Sequence, residues 1–366
     1  MKSGKIIFDK DVKVIGESAF EGLSSLTSIT IPKSVQTIED NAFKNCENLN
    51  RIEYKGSYVD WLNIIKSNTS FDNINTNIVE CEDREIHITL PNYFYIESRE
   101  NSNNVDLGSG TWLWKKHSQM EYSIDKVNWN PLNITSYILN EGEKMYFRCV
   151  SGNIEKTSYE YGDPLLRPSK TFNVGGDIST VIYGEENVQS INNEYAMARL
   201  FMATKIVDTS QLLLPATTLA PHCYGSMFEG CTSLTTAPEL PAMTLADWCY
   251  QYMFRGCKSL TTAPKLLPTT TLAPYCYHYM FYNCTSLPTA PELPAMVLVQ
   301  SCYSGMFYNC TNLNYIKCLA TDMTASNCTS SWVNGVSSSG TFIKHPNTTW
   351  STGKNGIPSG WEVVNA

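Results

Sequence analysis

Charge is scarce in this sequence. Only 17% of its 366 residues are charged, and 35 Asp and Glu outnumber 27 Lys and Arg, for a net charge of −8. Without a basic stripe to displace counterions, nucleic acid is excluded as a partner. No apolar run approaches the roughly 20 residues that span a bilayer, which excludes helical membrane insertion. The opening M-K-S-G-K-I-I-F-D-K lacks the apolar core and cleavage site of a secretory leader. The five histidines (His87, His117, His222, His278 and His345) are scattered, with no H-E-x-x-H pair. G-x-S-x-G, the phosphate-binding loop and G-x-G-x-x-G are likewise missing. The chain therefore reads as non-catalytic, with no catalytic residues, no cofactor and no metal.

What is plentiful is cysteine: 13 residues, ten of them between Cys223 and Cys328. They mark a repeat. C-Y-x-x-M-F-x-[GN]-C begins at Cys223, Cys249, Cys276 and Cys302, and a Leu follows in each copy (Leu234, Leu260, Leu287, Leu313). The first three copies run on into T-A-P-x-L and a further proline, Leu267 before Pro268 being the extra residue of one copy. A shorter repeat opens the chain: Val12, Ile15, Phe20, Leu23, Leu26 and Ile29 recur 23 residues later as Val35, Ile38, Phe43, Cys46, Leu49 and Ile52. L-x-x-I-x-I is the pattern of a short strand whose inward side chains stack on the next coil.

Superposed on Phe, the two repeats share three columns. Phe20 and Phe43 align with Phe228, Phe254, Phe281 and Phe307. Leu23 and Cys46 align with Cys231, Cys257, Cys284 and Cys310, and Ile15 and Ile38 with Cys223, Cys249, Cys276 and Cys302. Cysteine replaces Ile and Leu, as a small buried apolar group does, so the Phe and Cys columns are expected to form the core. Spacing of C-x7-C is wrong for zinc. Cys318 and Cys328 lie outside these columns and are the pair most open to a disulfide. An incomplete copy (Ala196, Phe201, Thr204, Val207) precedes the second array, and residues 319–366, which lose the period, read as its cap.

Between the arrays the texture changes to short alternating runs: 86–90, 93–96, 137–139 and 145–149, separated by Asn, Gly, Asp and Ser. That pattern predicts an antiparallel sandwich. A short amphipathic helix is expected over Tyr58–Lys66. The expected fold is β-rich α+β, with two leucine-rich-repeat-like solenoids flanking an Ig-like antiparallel β-sandwich. The domains are 1–83, 84–173 and 174–366.

These residues resemble the BspA-like leucine-rich-repeat proteins of gut Bacteroidetes. I-G-x-x-A-F-x-x-C-x-x-L-x-x-I-x-I-P is that family's repeat, residues 12–54 match it, and Tyr54–Lys66 is similar to its closing segment. The C-Y-x-x-M-F array is similar to a gut variant. The resemblance implies an extracellular or cell-surface adhesin or binding protein. Related repeats in phages, with the leader-free start, imply the alternative of a virion component meeting other virion proteins.

Columns of the C-Y-x-x-M-F units that vary must face away from the core. They hold Trp248, Tyr252, Tyr275, Tyr279, Tyr282 and Tyr308, expected to form an aromatic strip suited to sugar rings or a protein partner. The bland alternative is that these rings pack on one another. Thr235-Thr236, Thr261-Thr262 and Thr289 are expected on a sheet face, and the varied column holding His278 reads as solvated surface. The function expected is a non-catalytic, adhesin-like protein binding a glycan or glycoprotein on a cell surface.

Overall fold

The computed structural model describes the chain apart from residues 1–3, 9–10, 58–59, 62–63, 65–77, 83–84, 88–91, 127, 153 and 157–163. Two compact units result, 1–92 and 93–366. Both are built from strands and turns. Among the described residues, helix is confined to short pieces such as Trp112–Lys115 and Ser179–Ile182. The helix expected over Tyr58–Lys66 falls largely outside the described residues; Asp60, Trp61 and Ile64 are helical. Ser57 caps this turn through its hydroxyl to the Asp60 amide, and Trp61 is buried against the Tyr54 ring, centroids 5.4 Å apart.

In the first unit the two 23-residue repeats lie in register. Leu26–Ile31 pairs parallel with Arg51–Tyr54, Ile29 opposite Ile52, and Val14–Ile15 pairs with Thr37–Ile38. Ile29 and Ile31 alternate inward and are buried, because a strand's side chains point to opposite faces, and Leu26 is buried too, beyond a register shift that separates it from Ser28. Gly4–Ile7 adds one strand to this sheet. Ile78–Glu80 and Glu85–His87 add two on its other edge. Glu85–His87 thus closes the first sheet, although its alternation alone placed it with the strands that follow.

The second unit begins with two sheets. One has six strands, ordered Asn130–Pro131, Met120–Ser123, Lys144–Cys149, Tyr95–Ser98, Phe172–Asp177 and Ile206–Leu213. The other has three: Ser136–Leu139, Asn103–Asp106 and Arg167–Pro168. All these pairings are antiparallel except the last of the larger sheet. There Phe172–Asp177 runs parallel to Ile206–Leu213, a strand of the incomplete repeat copy. Parallel bridges continue from Asp208 to Thr236 and from Thr236 to Thr262, so the sheet runs directly into the repeat array.

Within the array the backbone follows one rule. His222, Tyr224, Ser226, Phe228 and Gly230 donate their N–H groups to the carbonyls of Asp247, Cys249, Gln251, Met253 and Arg255 in the next unit, at 2.8–3.1 Å. The residues between them (Cys223, Gly225, Met227, Glu229 and Cys231) donate instead to the carbonyl three residues back. Every amide in the segment is used, alternately within and between units, as buried backbone requires. The same five-bond set recurs from Tyr195 to Asn309.

This geometry places every fourth residue in the left-handed region: His222, Ser226 and Gly230, then Trp248, Tyr252 and Gly256, then Tyr275, Tyr279 and Asn283. The third position explains the [GN] of the motif, because glycine and asparagine adopt that region at least cost. Asn327, Ser331 and Gly335 repeat the pattern, and Cys328 takes the place of Cys302 one unit earlier. A further unit therefore lies inside the stretch that read as aperiodic, and Cys328 belongs to a core column. Both Cys318 and Cys328 are free thiols, as are the other eleven cysteines.

The core columns run through these units. Phe201, Phe228, Phe254, Phe281 and Phe307 stack at 5.4–5.7 Å, and Tyr224, Tyr250, Tyr277 and Tyr303 at 5.6–6.0 Å. Trp332 closes both columns, stacked on Tyr303 and tilted against Phe307, and Trp350 stacks on it in turn. Cys231, Cys257, Cys284 and Cys310 are fully buried. Each thiol donates to the carbonyl of a Phe in the preceding unit, at 2.9–3.1 Å. The column is thus a row of donors as well as a row of small apolar groups. The extra residue of the second copy is Leu266, which is exposed, whereas Leu267 is buried as Leu240 and Leu293 are.

Candidate functional site

The outer face of the array is built by the left-handed positions. With φ of 63°, 57°, 57° and 53°, Trp248, Tyr252, Tyr275 and Tyr279 sit in a region that bulky side chains seldom occupy. Between-unit hydrogen bonding fixes their backbone there, and each ring projects beside its counterpart one unit away. Three columns result. Trp248 stacks on Tyr275 with centroids 3.7 Å apart and planes 8° from parallel, and His222 and Tyr195 extend this column. Tyr252 stacks on Tyr279 at 5.7 Å. The third column lies outside the left-handed positions, and in it Tyr282 stacks on Tyr308 at 5.0 Å.

The columns are joined sideways. Tyr279 meets Tyr282 edge to face at 5.4 Å, and the Arg255 guanidinium lies 5.1 Å from the Tyr252 ring and 5.5 Å from the Tyr282 ring. His278 fills the space between the first two columns, its ring 4.4–5.8 Å from those of Trp248, Tyr252, Tyr275 and Tyr279. Its Nδ1 is buried without a hydrogen-bond partner, and burial pushes its pKa down to about 4. His278 is therefore a neutral wedge in an aromatic cluster, not the solvated surface residue that its varied column implied. At the far end Tyr279 covers Gly305, where a Cβ would meet the ring at 2.2 Å.

All six residues singled out in the sequence fall in this one cluster, each half-buried. Their rings do pack on one another. Ring faces are largely occupied by neighbours, so the cluster presents ring edges and phenol hydroxyls. Tyr275 uses its hydroxyl to accept from Gln300 Nε2 at 2.9 Å. Arg255, His278 and His222 complete the cluster. Sequence reasoning missed His222 and Arg255 because it took only Trp and Tyr from the columns they share with Trp248 and Tyr282, and His278 because its column mixes Gly, Gln and Ser.

The Thr steps bridge neighbouring units, Asp208 to Thr236 to Thr262, and Thr289 to Tyr315. Thr262 and Thr289 share no such bridge. Thr235 and Thr261 each donate a backbone N–H to the preceding unit, whereas Pro288 at the equivalent place has none to give. Among the described residues, no three His, Cys, Asp or Glu side chains converge as a metal site requires. No helix among them is long and apolar enough to cross a membrane. Burial raises the thiol pKa throughout the array, to about 11 at Cys231 and about 12 at Cys249, Cys302 and Cys310.

Short strands, very little helix and units bonded in register define a β-rich repeat protein. A family model described as the BspA type leucine-rich repeat region, in six copies, matches residues 2–99 and 226–331. The chain belongs to the BspA-type leucine-rich-repeat family. No curated protein matches it. Among solved structures it is similar to a leucine-rich repeat protein from Bacteroides ovatus ATCC 8483, at 14% identity over 98% of this chain and 91% of that one. The TM-score is 0.25, which carries no argument about shape.

Proposed function

We propose that this protein is a non-catalytic, adhesin-like binding protein that presents the outer face of its second repeat array to a glycan or glycoprotein on a cell surface. Reading the two arrays as solenoids, and the intervening stretch 84–173 as an Ig-like sandwich, belongs with this proposal. What supports it is the coil-to-coil bonding, which gives a repeat protein a long surface and a partner area and avidity without a deep pocket. The observation that carries it is the cluster of Trp248, Tyr252, Tyr275, Tyr279, Tyr282 and Tyr308 around Arg255. It combines ring edges, hydroxyls and one guanidinium, the residue types that concentrate binding energy at interfaces.

A non-catalytic role is supported by the chemistry of the thiols. Burial and a raised pKa keep them protonated, and a protonated thiol is a poor nucleophile. The family is typically surface-associated, in line with an extracellular location. The alternative, a component of a phage particle, has no structural observation in its favour. The test is a glycan and host-glycoprotein array probed with the chain and with Trp248→Ala/Tyr279→Ala. Binding that falls at least about tenfold in the variant supports the reading; binding that persists unchanged removes the aromatic face from it.

A further inference from the structure

The second unit also holds a polar cavity that the aromatic face does not involve. It has a volume of about 490 Å³, and its described lining residues are Gly152, Glu155, Tyr183, Glu185, Val188, Ser190, Asn192 and Asn193. Main-chain bonds tie its walls together. The segment bearing Glu155 is held on one side by Ile154 N–H to the Ile182 carbonyl at 2.7 Å, and on the other by Lys156 N–H to the Ala196 carbonyl at 3.0 Å. Tyr183 follows the short helix Ser179–Ile182, its N–H bonded to the Ser179 carbonyl. The residues from 188 to 193 open the repeat array and bridge to its next unit at Ser190 and Thr218.

Glu155 is only 6% exposed. One carboxylate oxygen accepts from the Tyr183 hydroxyl at 2.6 Å and the other from Asn193 Nδ2. Each oxygen keeps a second lone pair to offer. Around this buried carboxylate the cavity sets Ser190, Asn192 and Glu185, all exposed to it from the rim. None of the described lining residues is basic, and Lys156 places its ammonium over the Trp112 ring, 5.3 Å from the centroid.

We propose that this cavity binds a neutral, polyhydroxylated ligand: one sugar residue, seated on Glu155, Asn192 and Asn193. The lining mixes donors (Asn192, Asn193, Ser190) with acceptors (Glu155, Glu185, the Tyr183 oxygen, and the same amides and hydroxyl). A sugar hydroxyl both donates and accepts, so it can use every one of them. An ammonium group only donates, and an anion only accepts; each would leave half of the lining unmatched. Tyr183 and Val188 supply apolar surface for the ligand's C–H face, and the volume lies in the range of small-molecule pockets.

Saturation-transfer NMR on the full chain, with glucose, galactose, mannose and N-acetylglucosamine as probes, tests this. At least one sugar is expected to receive saturation, with affinity reduced about tenfold in Asn192→Ala and in Glu185→Ala. Both residues lie on the exposed rim, and an unchanged circular dichroism melt confirms that each variant folds. Trp248→Ala/Tyr279→Ala should leave the signal unaltered, which separates this site from the aromatic face. Transfer to none of the four sugars overturns the proposal. So does a signal lost in the aromatic variant but kept in the rim variants, or one seen with ethanolamine and with no sugar.

Discussion

The two repeat arrays share a core and differ in what they put outside it. Phe20 stacks on Phe43 at 5.2 Å as Phe228 does on Phe254, and Cys46 donates its thiol to the Phe20 carbonyl as Cys257 does to that of Phe228. Their outer left-handed positions diverge. The first array fills them with Ser18, Gly22, Asn41 and Asn45, residues that tolerate the conformation. The second array puts Trp248, Tyr252, Tyr275 and Tyr279 there. Folding alone does not call for those rings, since Ser and Asn serve the same backbone at lower cost. The hydrogen bonding differs too. A turn segment of the first array sends three N–H groups to its neighbour (Ser18, Phe20, Gly22), and longer strands do the rest; the second array sends five. The second array is joined more through its turns and the first more through its strands, and it is the second that carries the unusual surface.

The largest effect that tests this contrast comes from the shared core. Phe254 has a Phe on each side, whereas Phe20 is half exposed. Phe254→Ala is expected to cost about 3–5 kcal/mol in urea unfolding, and Phe20→Ala clearly less. Alkaline pH should follow in size. Cys231, Cys249, Cys302 and Cys310 have pKa values raised from 9.0 to about 11 or 12 in the folded chain. The unfolded chain therefore loses these protons first. Their contribution is complete below pH 9.0 and drains away as pH climbs toward 11–12. Urea midpoints measured across that window should fall, and Ellman's reagent should find these thiols unreactive until unfolding.

Smaller effects probe the outer positions. Tyr279→Asn gives up a ring stack worth about 0.5–1.5 kcal/mol but relieves a left-handed aromatic worth about 1–2 kcal/mol, so stability should move little while partner binding drops. The reverse exchange, Asn41→Tyr in the first array, should destabilise by about 1 kcal/mol, because no aromatic counterpart awaits the ring. Equal responses to the two exchanges would break the comparison. The smallest effect belongs to Pro288→Thr, which restores the backbone donor that Thr235 and Thr261 use. It should add about 0.5–1 kcal/mol and slow amide exchange around Thr261 and Thr289.

Much of this was legible in the sequence, and the reason is periodicity. The Phe and Cys columns and the six clustered aromatics follow from reading one unit against the next; the burial of the motif tyrosines did not enter that reading. What escaped does not repeat. Cys328 was hidden because Trp332 and Val333 stand where the motif has Met and Phe, and Leu266 because Leu267 beside it looks the same. His278 read as solvent-facing since its column also holds Gly225, Gln251 and Ser304; only the stacked rings around it desolvate the imidazole. Glu155 lies 28 residues from Tyr183 and 38 from Asn193 with no motif between them, and they converge only because Ile154 and Lys156 are bonded to Ile182 and Ala196. The pairing of Phe172–Asp177 with Ile206–Leu213 is of the same kind, a long-range contact without a local signature.

The alternation of amides has a consequence for how such a chain can change. Each junction in the second array repeats the same five backbone bonds, whatever outer side chains the units carry. Duplicating or deleting a whole unit therefore creates a new junction as well bonded as the old ones. The exterior can lengthen, shorten or be rewritten ring by ring while the interior is inherited unchanged, so one scaffold can carry many different outer faces.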